Sequence, residues 1–156
     1  MRKAERGDIV DKTYATRDGG GKYLALLEKA EKTGKCPFCP ENLSKRNKIL
    51  ASTNNWQLIP VLWPYKNAAH HLLIIPKRHI VEIGDILPAG WDEIQSLIKI
   101  ARERFPTLAI GGGLAIRFGI NSGVTIRHLH FHLIAPETDP ETGRVFPGQH
   151  VNFPIG

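Results

Sequence analysis

Three histidines, His128, His130 and His132, stand at alternate positions in the stretch RHLHFHLIAP (127–136) of a chain that has seven in all. In an extended strand the side chains alternate faces, so the three imidazoles share one face while Leu129, Phe131 and Leu133 turn to the other. Burying such groups without partners costs on the order of 1–3 kcal/mol each, so a row of three demands partners. Imidazole is neutral and nucleophilic near pH 7. The row therefore suits metal binding, acid–base work or nucleophilic attack.

The two cysteines, Cys36 and Cys39, lie together as CPFC. This is not the disulfide framework of a secreted fold. The polar start MRKAERGDIVDKTYATRDGGGK has no apolar leader, and a cytoplasmic protein is expected. A C-x-x-C pair serves as a redox motif at a helix start, as half of a tetrahedral zinc site, or as two buried unligated thiols. Pro40 follows at once and no strand of βαβ character precedes it, which argues against the redox reading.

The elements that must position these residues follow from periodicity. Residues 1–20 read as a polar, loosely packed arm, and residues 21–156 as one domain. KYLALLEKAEKTGK places Tyr23, Leu24, Leu27 and Ala30 at helical spacing, with Gly34 as a stop. The Pro-rich knuckle CPFCPEN precedes ILASTNNWQLIPVLW, one or two strands around an Asn-Asn turn. HLLIIPKRHI holds a buried strand from Leu72 to Ile75 that Pro76 ends. In PAGWDEIQSLIKIARERF, Trp91, Ile94, Leu97, Ile98, Ala101 and Phe105 form the apolar stripe of a long amphipathic helix. GGGLAIRFGI and TIRHLHFHLIA are two more strands, joined hairpin-fashion, and the C-terminal region has turns at Asp139-Pro140 and Thr142-Gly143 before a short final strand. The class is α+β, with a mainly antiparallel sheet, one long helix and a shorter N-terminal one.

Composition agrees with a single globular domain: 156 residues, 42% hydrophobic and 23% charged. No apolar run approaches the roughly 18 residues of a membrane span. The net charge of +6 suits anionic partners or simply a solvated surface.

HLHFHLI resembles the signature of the histidine triad family, HLLIIPKRHI resembles the strand and PK-x-H segment upstream of it, and CPFC is similar to the cysteine pair of the zinc-binding members. The three occur in family order over residues 36–134. The resemblance implies a nucleotide-binding hydrolase or transferase acting at an α-phosphate, commonly as a homodimer. It implies His130 as the nucleophile that forms a nucleotidyl-histidine, His132 as a phosphate contact and proton donor, and His71 facing the row. His132 favours hydrolysis, since the hexose-phosphate transferase branch has Gln there. His70 stands where the family usually has Gly and is read as incidental. For the metal, the resemblance implies structural zinc on Cys36, Cys39, His79 and His128.

The resemblance frays in two places. Where members carry a Gly-Gln-Ser run this chain has Gly123, Val124 and Thr125, which keeps a hydroxyl but loses the amide. Asn121 is a second candidate in that loop. The acidic ribose contact is missing, and Asn67 is its nearest substitute. Trp56, Trp63 and Tyr65 are read as core aromatics before base-stacking ones, and Gly111–Gly113 as a turn before a phosphate loop. The leading expectation is a hydrolase of nucleoside phosphoramidates or dinucleoside polyphosphates. A nucleotidyltransferase or phosphorylase, and a non-catalytic nucleotide- or nucleic-acid-binding module, are the alternatives. Nucleic acid is a less favoured partner than a nucleotide.

Overall fold

The computed structural model of the chain describes residues 9–12, 15 and 21–156. Helix α1 (Lys22–Thr33) buries Leu27 and Ala30 and ends at Gly34, whose left-handed φ of 66° lets its N–H bond the Ala30 carbonyl. The CPFC knuckle runs straight into a single helical turn, α2 (Pro40–Leu43), with Pro40 at its first position, where a missing N–H costs nothing.

Strands β1 (Ala51–Ser52) and β2 (Trp56–Pro60) pair antiparallel around the Asn54-Asn55 turn. Strand β3 (Ala68–Pro76) starts earlier than its apolar run suggests, which brings His70 and His71 onto the sheet. Helix α3 (Pro88–Arg104) buries Ile94, Leu97 and Ala101. Trp91, expected on that stripe, is 46% exposed and meets the Phe131 ring edge-on at 5.9 Å between centroids. A short helix not anticipated from the sequence, α4 (Pro106–Ile110), leads to β4 (Gly113–Ile116), and β5 (Phe131–Pro136) completes an antiparallel sheet of order β1-β2-β3-β5-β4.

Both faces of the sheet are covered. Leu72, Ile74, Leu129, Phe131 and Leu133 join the α3 side, while Leu73, Ile75 and Ile59 pack with Leu27, Phe38 and Leu43 on the other. This is why the middle of β3 is apolar at every position rather than at alternate ones.

The histidine row is not one continuous strand. The ladder between β3 and β5 stops at Ile74 opposite Phe131. Upstream of it Arg127 N–H bonds the Ile9 carbonyl, Leu129 N–H bonds the Ile80 carbonyl, and Ile126 bridges Val10. Residues 126–130 are thus held by several segments instead of one neighbour. The expected final strand is a single bridge, Thr138 to Val145, closed by a turn in which Gly143 has φ 68°. Of the arm 1–20, residues 9–12 and 15 are described, with Ile9, Val10 and Ala15 buried against the domain; the rest lies outside the described residues.

Gly112 explains the glycine run after α4. A Cβ there would sit 2.6 Å from the Ile134 carbonyl oxygen, whereas one at Gly111 would meet nothing within 4 Å. Gly112→Ala is expected to destabilise the domain by about 1–3 kcal/mol through this forced backbone shift, and Gly111→Ala to be near neutral. Urea unfolding of the two variants against the parent checks the difference.

Candidate active site and metal cluster

Pairing of β3 with β5 sets the first two groups of the site. His71 stands opposite Ile134 and Leu73 opposite His132, so His71 and His132 are diagonal neighbours on one face. His71 Nε2 lies 2.8 Å from His132 Nδ1, and the Tyr65 backbone N–H donates to His71 Nδ1 at 3.2 Å. The backbone donor assigns both tautomers. His71 accepts at Nδ1, carries its proton on Nε2 and donates it to His132 Nδ1; His132 then carries its own proton on Nε2. That Nε2–H is buried and has no hydrogen-bond partner among the described residues. An unmet buried donor costs about 1–3 kcal/mol, which an acceptor entering the site would recover.

His130 takes the opposite tautomer. Its Nδ1 lies 2.7 Å from the His128 carbonyl oxygen, so the proton sits on Nδ1 and the Nε2 lone pair is free. Burial pushes its pKa down to about 4, against the pull of that carbonyl bond, with further lowering from the nearby Arg117 charge. Burial likewise holds His71 at about 4 and His132 well below the usual range. All three rings are therefore neutral at pH 7. The His130 ring is flanked by Phe38 at 5.0 Å and His132 at 4.9 Å between centroids.

These rings open into a cleft of about 530 Å³, also lined by Tyr23, Trp63, Tyr65, Arg117 and Thr125, with no acidic side chain in its wall among the described residues. Gly123 lines it as well, at φ 76°. Thr125 Oγ1 is hydrogen-bonded to the Tyr23 hydroxyl, so the helix-α1 tyrosine expected only as packing reaches the cleft. The structure brings His71, His130, His132, Gly123 and Thr125 together. It does not bring Asn67 or Asn121 to that wall: Asn67, at φ 65°, donates its amide to the His150 carbonyl, and Asn121 is exposed. Trp56 is core, whereas Trp63 and Tyr65 face the cleft. Sequence reasoning missed Arg117 and Phe153. The lone charge within the apolar GLAIRF run was the available signal for Arg117; Phe153 comes from a distant C-terminal segment and had none.

The row's first member faces elsewhere. His128 is fully buried, and its Nε2–H donates to the Pro76 carbonyl at 2.7 Å, leaving Nδ1 unprotonated. That atom is 3.4 Å from Cys36 Sγ and 3.8 Å from Cys39 Sγ, and His79 Nδ1 is 3.5 Å from Cys39 Sγ. The four ligand atoms of Cys36, Cys39, His79 and His128 lie within 4.8 Å of one another. A tetrahedral zinc with bonds of about 2.3 Å to sulfur and 2.0–2.1 Å to nitrogen separates S from N by roughly 3.5 Å. The donor set and its spacing fit that ion. Between the thiols, the hydrogen bond from Cys39 lowers Cys36, and the same contact pushes Cys39 up to about 11, as when two sulfurs share one proton.

An antiparallel five-stranded sheet that carries an uncharged histidine row into a cleft defines a histidine triad fold. Residues 35–145 match the family described as "Scavenger mRNA decapping enzyme C-term binding", and the chain belongs to that family within the histidine triad group. It is 24% identical over 119 residues to the adenosine 5'-monophosphoramidase HINT3 of Danio rerio, across 74% of this chain and 72% of that one. To an uncharacterized HIT-like protein of Chlamydia muridarum it is 32% identical over 72 residues, 45% of this chain and 57% of the relative. The chain thus spans little more than half of that relative's length. Among solved structures, a HIT family hydrolase from Clostridium thermocellum is 26% identical with a TM-score of 0.56, covering 68% of this chain and 93% of that one. A Zn-bound histidine triad family protein from Mycobacterium smegmatis, 22% identical with a TM-score of 0.52 over 75% of this chain and 86% of that one, shares the fold.

The tautomers are open to direct measurement. Long-range ¹H–¹⁵N NMR is expected to find His71 protonated on Nε2 and titrating near 4 rather than near 6.5. Because this ring binds a proton less readily folded than unfolded, its contribution to stability is complete above about pH 6.5 and is lost as the pH falls toward 4. An Nδ1–H tautomer, or titration near 6.5, contradicts the relay.

Proposed function

We propose that the chain is a nucleotide hydrolase that acts at an α-phosphate through a covalent nucleotidyl-His130, and that Cys36, Cys39, His79 and His128 hold a structural zinc. The observation that carries the catalytic reading is the pair of opposed tautomers. His130 offers a lone pair at Nε2, and beside it His132 offers an N–H at Nε2 that nothing among the described residues accepts. A nucleophile next to an unmet donor suits a phosphate group, which supplies an electrophilic phosphorus and acceptor oxygens at once.

In the first step the His130 Nε2 lone pair attacks phosphorus, a P–N bond forms, and the bond to the leaving group breaks with its electron pair. His132 Nε2–H, held in place by His71, donates a hydrogen bond to a non-bridging oxygen as charge builds there. Thr125 and the backbone at Gly123 lie in the same wall and hold the remaining oxygens. Water then attacks phosphorus from the vacated side, its proton passes to solvent, the P–N bond breaks, and the pair returns to Nε2. The cleft aromatics Trp63 and Tyr65 offer flat faces to a base. His130→Ala is expected to abolish turnover of adenosine-containing substrates, a loss of more than about 10³-fold, since nothing replaces the nucleophile. AMP binding by calorimetry should stay near that of the parent; full activity in the variant contradicts the reading.

The zinc would act as a clamp rather than a reactant. Four protein ligands close the coordination sphere, so no position is left for a substrate oxygen. Its ligands would tie the knuckle before α2 to the segment that carries His130, with the His128–Pro76 bond orienting one imidazole from behind. Elemental analysis of protein purified without added metal is expected to give about one zinc per chain. Cys39→Ser should lower the melting temperature and the zinc content together. Metal-free protein with both thiols freely titratable contradicts this site.

The homodimer implied by the resemblance has a candidate surface in the outer edge of β4, where Leu114 is 46% exposed beside Ile110 at 72%.

A further inference from the structure

We infer that Arg117 is a specificity residue that reads negative charge on the leaving group, so that the favoured substrate is a nucleotide whose α-phosphate is joined to a further phosphate. This rests on the nucleotide reading above and narrows its substrate class.

Arg117 follows the last residue of β4 and is 8% exposed. Its Nε donates to the Pro154 carbonyl at 2.7 Å, one Nη2 proton goes to the Tyr65 hydroxyl at 2.8 Å, and the guanidinium lies 4.0 Å from the Phe153 ring centroid. Every one of these partners is neutral. The ion pairs among the described residues are on Lys12 and Lys99, so no carboxylate among those residues answers this charge. A buried guanidinium fixed by neutral acceptors keeps its charge and the rest of its N–H fork for an anion that enters.

Its position says which anion. Tyr65 and Phe153 each touch both Arg117 and His132: the Tyr65 ring is 5.9 Å from the His132 ring and 6.0 Å from the guanidinium, and Phe153 is 5.0 Å from the His132 ring. Arg117 and His132 thus share two aromatic neighbours and line one cleft, the cleft that would hold the phosphate His130 attacks. The cleft's other cations are differently placed, since Arg46 donates to the Pro37 carbonyl and Lys66 is exposed.

The proton count points the same way. The Tyr65–His71–His132 chain uses each ring in its neutral form, so His132 can donate a hydrogen bond but has no spare proton to release. An amine leaving group needs a proton to depart; a phosphate does not. As His130 Nε2 bonds to the α-phosphorus, the bond from phosphorus to the bridging oxygen breaks. That oxygen keeps the electron pair and departs on the terminal phosphate, whose added charge lies against Arg117.

Calorimetry with AMP and ADP tests the anion contact apart from catalysis. Wild-type protein is expected to bind ADP at least about tenfold tighter than AMP, the scale of a charge-assisted hydrogen bond. Arg117→Gln should erase the preference, Arg117→Lys should keep part of it, and Lys99→Gln, which changes the net charge equally, should leave it intact. In turnover assays Arg117→Gln should slow diadenosine triphosphate cleavage about 10–100-fold more than it slows adenosine 5'-phosphoramidate cleavage. Equal affinity of the wild type for ADP and AMP, or an undiminished preference in Arg117→Gln, overturns the inference; the wild-type comparison decides it even if the Gln variant does not fold. An ADP preference that depends on Arg117 in a protein that turns over neither substrate supports the anion contact and overturns the covalent mechanism instead.

Discussion

The hydrogen bond between His130 Nδ1 and the carbonyl of His128 is made inside the row itself, two residues back along the same segment. It decides which nitrogen of His130 carries the proton and so which one is free to react. The bond alone would favour the charged ring, since a carbonyl stabilises either N–H. Burial among Phe38, His132 and the second core outweighs that and keeps the ring neutral. A nucleophile needs both conditions: a free lone pair and no proton on it. Each depends on how the sheet is covered, because an exposed row would be half-protonated near its ordinary pKa.

The same alternation of residues serves two different ends because the backbone changes partners in the middle of the row. From Phe131 onward β5 is locked to β3 and β4, and His132 is set by that register against His71. Before Phe131 the chain bonds instead to Ile9 and Ile80, which turns His128 toward the cysteines and the Pro76 carbonyl. The cluster at Cys36, Cys39, His79 and His128 therefore includes the residue whose carbonyl holds the His130 ring. Order in that cluster bears on the His130 tautomer, and the knuckle also reaches the cleft directly through Phe38.

Much of this was legible in the residues. Period-two spacing separated Leu129, Phe131 and Leu133 from the histidines, and the cores divide along that line. The α1 stop at Gly34 and the long α3 followed from periodicity and chain punctuation. What was not legible depended on register or on distant segments. The resemblance had His71 facing the row, but its contact with His132 in particular requires knowing that Leu73 faces His132. Asn67 was a reasonable polar candidate, yet its left-handed backbone turns the amide to His150. Phe153 reaches His132 from the far end of the chain, and Arg117 matters because that segment folds back to hold it. Short elements such as α4 carry too few residues for a periodic signal.

The central claim is that His130 Nε2 bonds to phosphorus. Rapid chemical quenching of the protein mixed with diadenosine triphosphate, followed by peptide mapping by mass spectrometry, tests it most directly. The account expects one adenylyl group per chain, alkali-stable and acid-labile, on the peptide containing His130 and on that ring alone. Turnover that proceeds with no adduct at any quench time, or an adduct on another residue, contradicts it.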